Sequence, residues 1–181
     1  MHRAIKKIFT FGIKFEILTM KKFTIEIKWA IVFTLAVIAW AILEKTLGYY
    51  DQKIASHASF SFLFALVAFA LYFFAIYDKK KHFFMGSMEW RQGFISGCVL
   101  TVFITLLTPL SQYIIHTAIA PEFFGNYILH TVEKEIMIEE SAQSYYNLTS
   151  FITQTVFFAL SVGIVTAAIV SFFLKNKSRT S

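Results

Sequence analysis

MKKFTIEIKWAIVFTLAVIAWAILEKTLG, residues 20–48, admits two readings that lead to different proteins. Two lysines, an apolar run and Ala39-Trp40-Ala41 resemble a cleaved secretory signal. The same letters also describe a helix retained in a membrane. A signal peptide has a short apolar core followed by a small-residue cleavage site. Here apolar character continues through Ile42 and Leu43, no helix breaker precedes the site, and Trp40 is bulky. Trp29 at one end and Tyr49-Tyr50 at the other sit where interface aromatics of a spanning helix belong. The retained helix is therefore the expectation.

The rest of the chain agrees. Of its 181 residues 57% are hydrophobic, 22 are Phe and only 15% are charged, whereas a soluble domain carries about a quarter charged residues. Two prolines and seven glycines leave little room for flexible linkers. Four apolar blocks stand out, at about Trp29–Leu47, Ser59–Tyr77, Phe94–Ile119 and Phe151–Leu174. Each is near the ~20 residues that carry a helix across ~30 Å of hydrocarbon, and helices satisfy their own backbone there. The expected fold is all-α, a four-helix membrane bundle in one domain over residues 20–175. Pro109 removes a backbone donor in the third block, so a bend is expected near Thr105.

Charge predicts orientation. Arg3, Lys6, Lys7, Lys14, Lys21, Lys22 and Lys28 precede the first block, Lys79, Lys80, Lys81 and Arg91 lie between the second and third, and Lys175, Lys177 and Arg179 follow the fourth. Only Lys45, Lys53 and Lys134 fall elsewhere. Basic residues collect on the cytoplasmic side, so both termini are expected inside, in a bacterial inner membrane, with segments 48–58 and 120–148 outside. The net charge of +6 is then an orientation signal. It is not read as a nucleic-acid surface, because it is split among short segments without a binding motif. Lys79–Lys81 are candidates for contact with anionic lipid, and Trp90 for an anchor at the inner interface. Residues 1–19 form a basic extension. They read either as an overlong start ahead of Met20, the preferred reading, or as a segment lying on the inner leaflet. Residues 176–181 form a basic tail.

MKKFTIEIKWAI, LEKTLGYYD, MGSMEWRQGFISG and TPLSQYIIHTAIAPEFF together resemble a bacterial membrane family known as domain of unknown function 4199, over roughly residues 20–175. The resemblance implies a four-helix membrane protein and carries no activity, substrate or catalytic residue with it.

Two patterns are candidate sites. Small residues recur at helical spacing: Gly93 and Gly97 in the third block, and Ala159, Gly163, Ala167 and Ser171 in the fourth. Residues four apart share a helix face, and small ones let helices approach closely. Packing inside the bundle is the preferred reading, with a dimer seam as the other. The second pattern is polar. Glu44, His57, Gln112, His116 and Gln154 fall at one depth near the outer end. They form either an outward-facing pocket, with Glu44 accepting hydrogen bonds from His116 or Gln154, or a set of headgroup contacts. The headgroup reading is preferred because Glu44 lies close to Tyr49. The segment 120–148 should contain an amphipathic helix with Phe124, Ile128, Leu129, Val132 and Ile136 on one face. Asn147 or Thr149 should cap the fourth helix, a simpler role than glycosylation at Asn147-Leu148-Thr149. Cys98, the single cysteine, cannot form an intrachain disulfide and reads as a packing residue.

Enzyme motifs are absent from the sequence, and His2, His57, His82, His116 and His130 include no pair on one helix at metal-ligand spacing. No cofactor or metal is expected. A non-catalytic membrane protein follows, whose partners are the bilayer and another membrane protein or a second copy of the chain. The alternative is a small transporter or channel component using the polar cluster.

Overall fold

A computed structural model describes residues 2–176, with side chains from Lys22 onward. The side chains of the basic extension 1–19, and Lys177 and Arg179 of the tail, lie outside the described residues. The elements are α1 (His2–Thr46), a 3₁₀ turn (Ile54–Ser56), α2 (His57–Ser61), α3 (Phe64–His82), α4 (Trp90–Ile114), a π turn (Ile115–Ile119), α5 (Phe123–Glu133), α6 (Glu139–Tyr145) and α7 (Leu148–Leu174). No strand occurs among the described residues. Four stretches, Lys22–Thr46, Ile54–His82, Trp90–Ile119 and Leu148–Leu174, are long and apolar enough to cross a membrane. The all-α architecture expected from the sequence, with four helices long and apolar enough to span, is the architecture observed among the described residues.

Local chemistry sets the boundaries. Gly48, at φ +81°, ends α1 in the left-handed conformation that glycine adopts without strain. The Tyr49 N–H then donates to the Glu44 carbonyl at 2.9 Å. Gln92 accepts from the Glu89 N–H at 2.9 Å to close the start of α4. Asn147 Oδ1 accepts from the Ser150 N–H at 3.0 Å, which makes it the cap of α7.

Two helices differ from expectation. The second apolar stretch begins at Ile54, and Phe62-Leu63 divides it. Tight bonds replace the α ladder there, Leu63 N–H to Phe60 O at 3.0 Å and Ala65 N–H to Phe62 O at 3.0 Å. In the third, α4 continues through Pro109 to Ile114. Beyond it the α pattern gives way to the π turn, closed by Ala120 N–H on Ile115 O at 2.8 Å.

The broadest contact is between α4 and α7, followed by α1 with α4. Small residues place it. A Cβ on Gly93 would stand 2.9 Å from Ser171 Oγ, one on Gly97 2.5 Å from Ala167 Cβ, and one on Gly163 2.5 Å from Thr101 Cγ2. The pairs 93/171, 97/167 and 101/163 step antiparallel by one turn each. Ala159, half-buried, extends the same face of α7. The small-residue stripes thus meet within one chain. Ile76, Met88, Leu100, Ile104 and Val170 fill the core around the seam, and a second cluster of Ala41, Tyr50, Ile115, Ala120 and Phe123 lies at the end of the bundle that holds Glu44. The outer surface is apolar: Phe62 and Leu66 are 74% exposed, Leu106 68% and Phe157 66%.

Candidate functional site

Glu44 lies in the last turns of α1 and is only 4% exposed. Trp40, one turn earlier, donates its indole N–H to Glu44 Oε1 at 3.0 Å. The Gly48 turn sends the chain back so that the Tyr50 hydroxyl donates to Oε2 at 2.8 Å. The Ser61 hydroxyl, at the break between α2 and α3, donates to Oε1. His57 Nε2 stands 3.8 Å from Oε2 and 3.3 Å from Ser61 Oγ. Burial of such a carboxylate is tolerated because three donors replace its water. Burial, and then the charge of Glu44, push the Tyr50 phenol well above its ordinary value, so Tyr50 remains a donor.

His116 reaches the same region from the π turn. It is 6% exposed, and its ring packs on Phe124, Phe123 and Phe151 at centroid distances of 4.6, 5.0 and 5.0 Å. Both ring nitrogens lack a hydrogen-bond partner among the described residues. Phe123 also packs on His57, at 4.9 Å, and so stands against both histidines. Gln112, one turn before His116, is buried. The structure therefore brings Glu44, His57, Gln112 and His116 to one end of the bundle. Gln154 stands apart: it is exposed and lines an open cleft of about 470 Å³ with Glu140, Ser141 and Ser144, because α6 folds back against α7 there. The expected bonds from His116 or Gln154 to Glu44 are replaced by those from Trp40, Tyr50 and Ser61. The headgroup reading of Glu44 gives way for the same reason, since its carboxylate is enclosed.

α5 covers this end. Its buried residues are Phe123 and Thr131, with Tyr127 between them on the same face. The face expected from the sequence is displaced: Leu129 and Ile136 are exposed, and the helix stops at Glu133 with Glu135 at φ +55° before α6 begins. Rim contacts hold α5 down. Lys45 Nζ lies 3.1 Å from Glu122 Oε2 and 3.3 Å from Asp51 Oδ2, and the Asn126 side-chain amide donates to the Tyr50 carbonyl at 2.9 Å. A hydrogen bond from its own backbone, and then Lys45, hold the Glu122 carboxyl below its ordinary value.

A second buried charge occupies the opposite end, where the sequence reading expected Lys79–Lys81 to meet anionic lipid. Lys79 Nζ of α3 lies 2.9 Å from Glu26 Oε1 of α1, and the Ser96 hydroxyl of α4 donates to the same oxygen at 2.7 Å. Both ion-pair side chains are about as enclosed as Glu44. Lys79 is thus not a lipid contact. Lys80 donates to the Leu174 carbonyl at 2.7 Å, at the end of α7, and Lys81 alone of the three is exposed. The signal that was available is an acid flanked by bases, one turn from Ala30 on the buried side of α1. Trp90 donates its indole N–H to the Ala168 carbonyl at 3.1 Å.

Chemically, both clusters hold a carboxylate whose acceptor positions are taken by donors from two or three segments. Such an arrangement cross-links helices. Among the described residues no three His, Cys, Asp or Glu side chains are placed to hold a metal ion.

No curated protein and no solved structure matches the chain. A family model does match, from residue 28 to residue 176, and that range takes in the C-terminal part of α1, all of α2 to α7, and both buried carboxylate clusters except Glu26. The match covers most of the sequence, and the chain belongs to the family described as "Protein of unknown function (DUF4199)".

Proposed function

We propose that this chain is a non-catalytic integral membrane protein of four spans, resident in a bacterial cytoplasmic membrane with both termini inside, and that it acts through contacts with lipid and with a partner membrane protein. One observation carries the reading. Large apolar side chains cover the outside of all four long helices, among them Leu35, Leu66, Leu106 and Phe157. Water would penalise such a surface at each of these positions, whereas hydrocarbon accepts it. The partition of basic residues supports the orientation: Lys22, Lys28, Lys80 and Arg91 gather near the Glu26 end, and Glu122, Glu133, Glu135, Glu139 and Glu140 lie in the segment that crosses the Glu44 end.

A reporter active only in the cytoplasm, fused after Ser181, is expected to be active. The same reporter inserted after Lys134 is expected to be silent. Activity at Lys134 and silence at Ser181 would reverse the orientation, and recovery of the chain in the soluble fraction would end the membrane reading.

The alternative, a small transporter or channel component, draws support from the polar side chains buried along α4 and the π turn that follows it: Thr101, Thr108, Ser111, Gln112 and His116. Against it, Phe123 packs over the histidines and the Glu44 oxygens are occupied. Solute-dependent flux from pure protein in liposomes would favour the transporter. A stable partner recovered with the tagged chain, without flux, favours the first reading.

A further inference from the structure

On α4, Arg91, Ile95, Cys98 and Val102 follow one another at steps of four, three and four, a single stripe on the side away from Gly93 and Gly97. Beside this stripe the Phe23 ring of α1 packs on Phe103 of α4, with centroids 6.5 Å apart. An open groove of about 280 Å³ runs between the helices, lined by Phe23, Ile95, Cys98, Val99, Val102 and Phe103. Apart from the Cys98 thiol every lining side chain is hydrocarbon.

Two cations border it. The Lys22 ammonium stands 5.6 Å from the centroid of the Phe23 ring that forms one wall. Arg91 precedes the lining residue Ile95 by one turn on the same face of α4. Lys28, Lys45 and Lys79 are each paired with a carboxylate. Lys22 and Arg91 have no acidic partner among the described residues. Positive charge without an acidic partner among the described residues thus lies beside an apolar slot.

We propose that this groove binds an anionic phospholipid, one acyl chain lying along Phe23, Val99 and Val102 and the phosphate held by Lys22 and Arg91. The assignment rests on the membrane reading, which sets both cations at the cytoplasmic leaflet, where anionic lipid concentrates. The acyl chain gains dispersion contacts along the slot that any lipid would share. The headgroup adds selectivity, roughly five-fold for each basic residue beside it.

The test uses the purified full chain in mild detergent, offered equal amounts of phosphatidylglycerol and phosphatidylcholine with identical acyl chains and read by native mass spectrometry. One bound lipid is expected, with a preference for phosphatidylglycerol of at least about five-fold. Lys22→Gln with Arg91→Gln should bring the preference close to unity while a lipid still binds. Val102→Trp, at a half-exposed position, should fill the slot and remove the bound lipid of either kind. A phosphatidylglycerol carrying a photoreactive acyl chain should leave adducts on Phe23 and on residues 95–103. Equal retention of the two lipids by the unsubstituted chain, or a preference that survives the double substitution, overturns the proposal. Adducts spread over the exposed faces of α3 and α7 would mean ordinary surrounding lipid and overturn it as well. All of these failures leave the four-span reading intact, because that reading fails separately, by recovery of the chain in the soluble fraction.

Discussion

Replacing Gly97 with alanine tests the seam between α4 and α7 with a single methyl group. The new Cβ would stand 2.5 Å from Ala167 Cβ, 3.1 Å from Ala167 Cα and 3.1 Å from Ile76 Cδ1. Carbon atoms settle at about 3.5–4.0 Å, so the two helices must part by about 1 Å at this level. Ile76 can turn its terminal methyl aside. Ala167 Cα is backbone and moves only with α7. The contacts above and below, Gly163 on Thr101 and Gly93 on Ser171, belong to the same pair of rigid helices and open with it. Overpacking of this kind costs about 1–3 kcal/mol, and the shared seam argues for the upper half. At about 2–4 °C per kcal/mol for a chain of this size, the melting temperature in mild detergent should fall by about 4–12 °C. Ala167→Gly removes the nearest atom and leaves the approach to Ala167 Cα. Alone it should cost about 1 kcal/mol as a glycine inside a helix. Combined with Gly97→Ala it should restore part of the loss, with a coupling of at least about 1 kcal/mol. Thermal unfolding of the four proteins completes the cycle. A Gly97→Ala protein that melts with the unsubstituted chain, or two substitutions that simply add, would refute the close approach.

Three further outcomes follow from other sites. Glu26→Gln or Lys79→Met alone should destabilise by about 3–5 kcal/mol, since each leaves the other charge buried without its partner; the double substitution should cost less than either single one, and denaturant titration decides. His116→Phe places a fourth aromatic ring among Phe123, Phe124 and Phe151 and removes two buried nitrogens without partners, so it should be neutral or stabilising by up to about 1 kcal/mol, whereas a loss of that size would show that His116 has a bond the structure does not reveal. Lys45→Ala should free α5 at its rim: amide hydrogen exchange across Phe123–Glu133 should quicken, and because the Glu122 side is exposed, salt near 1 M should reproduce part of the effect in the unsubstituted chain.

How far the sequence could be read depended on range. Block length is a local property, so the four spans were legible, as was the Asn147 cap, whose bond reaches three residues. The equal depth of Glu44, His57, Gln112 and His116 follows from counting turns from each end of a span, and it located the buried end of the bundle. The identity of the Glu44 donors did not follow, because Tyr50 and Ser61 arrive through the Gly48 turn and the break at Phe62-Leu63, and no apolar pattern encodes either. Gln154 has the right depth and the wrong direction, which only the placement of α6 decides. The Glu26–Lys79 pair joins residues 53 positions apart, and a lysine beside two other lysines at the end of a helix reads as solvated until its partner is known. On α5 the apolar residues are dense enough to offer more than one face, and Phe123, immediately after the turn at Pro121, chose among them.

The order in which the chain is made gives the seam another meaning. Gly93, Gly97 and Thr101 lie on α4, while Ser171, Ala167 and Gly163 lie on α7, which is synthesised later, after the connection that contains α5 and α6. Until α7 arrives, Gly93 and Gly97 leave a shallow trough on α4, bordered by Met88 and Ile76, where Ala167 and Ser171 will lie. Once α7 docks, the loop before α4 locks behind it, with the Asn176 side chain accepting from the Met88 N–H at 3.0 Å and the Asn176 N–H donating to the Met88 carbonyl at 2.9 Å. Docking of α7 is therefore a closing step for the bundle: a chain stopped before Leu148 would leave the small-residue face of α4 open to whatever small-faced helix passes by.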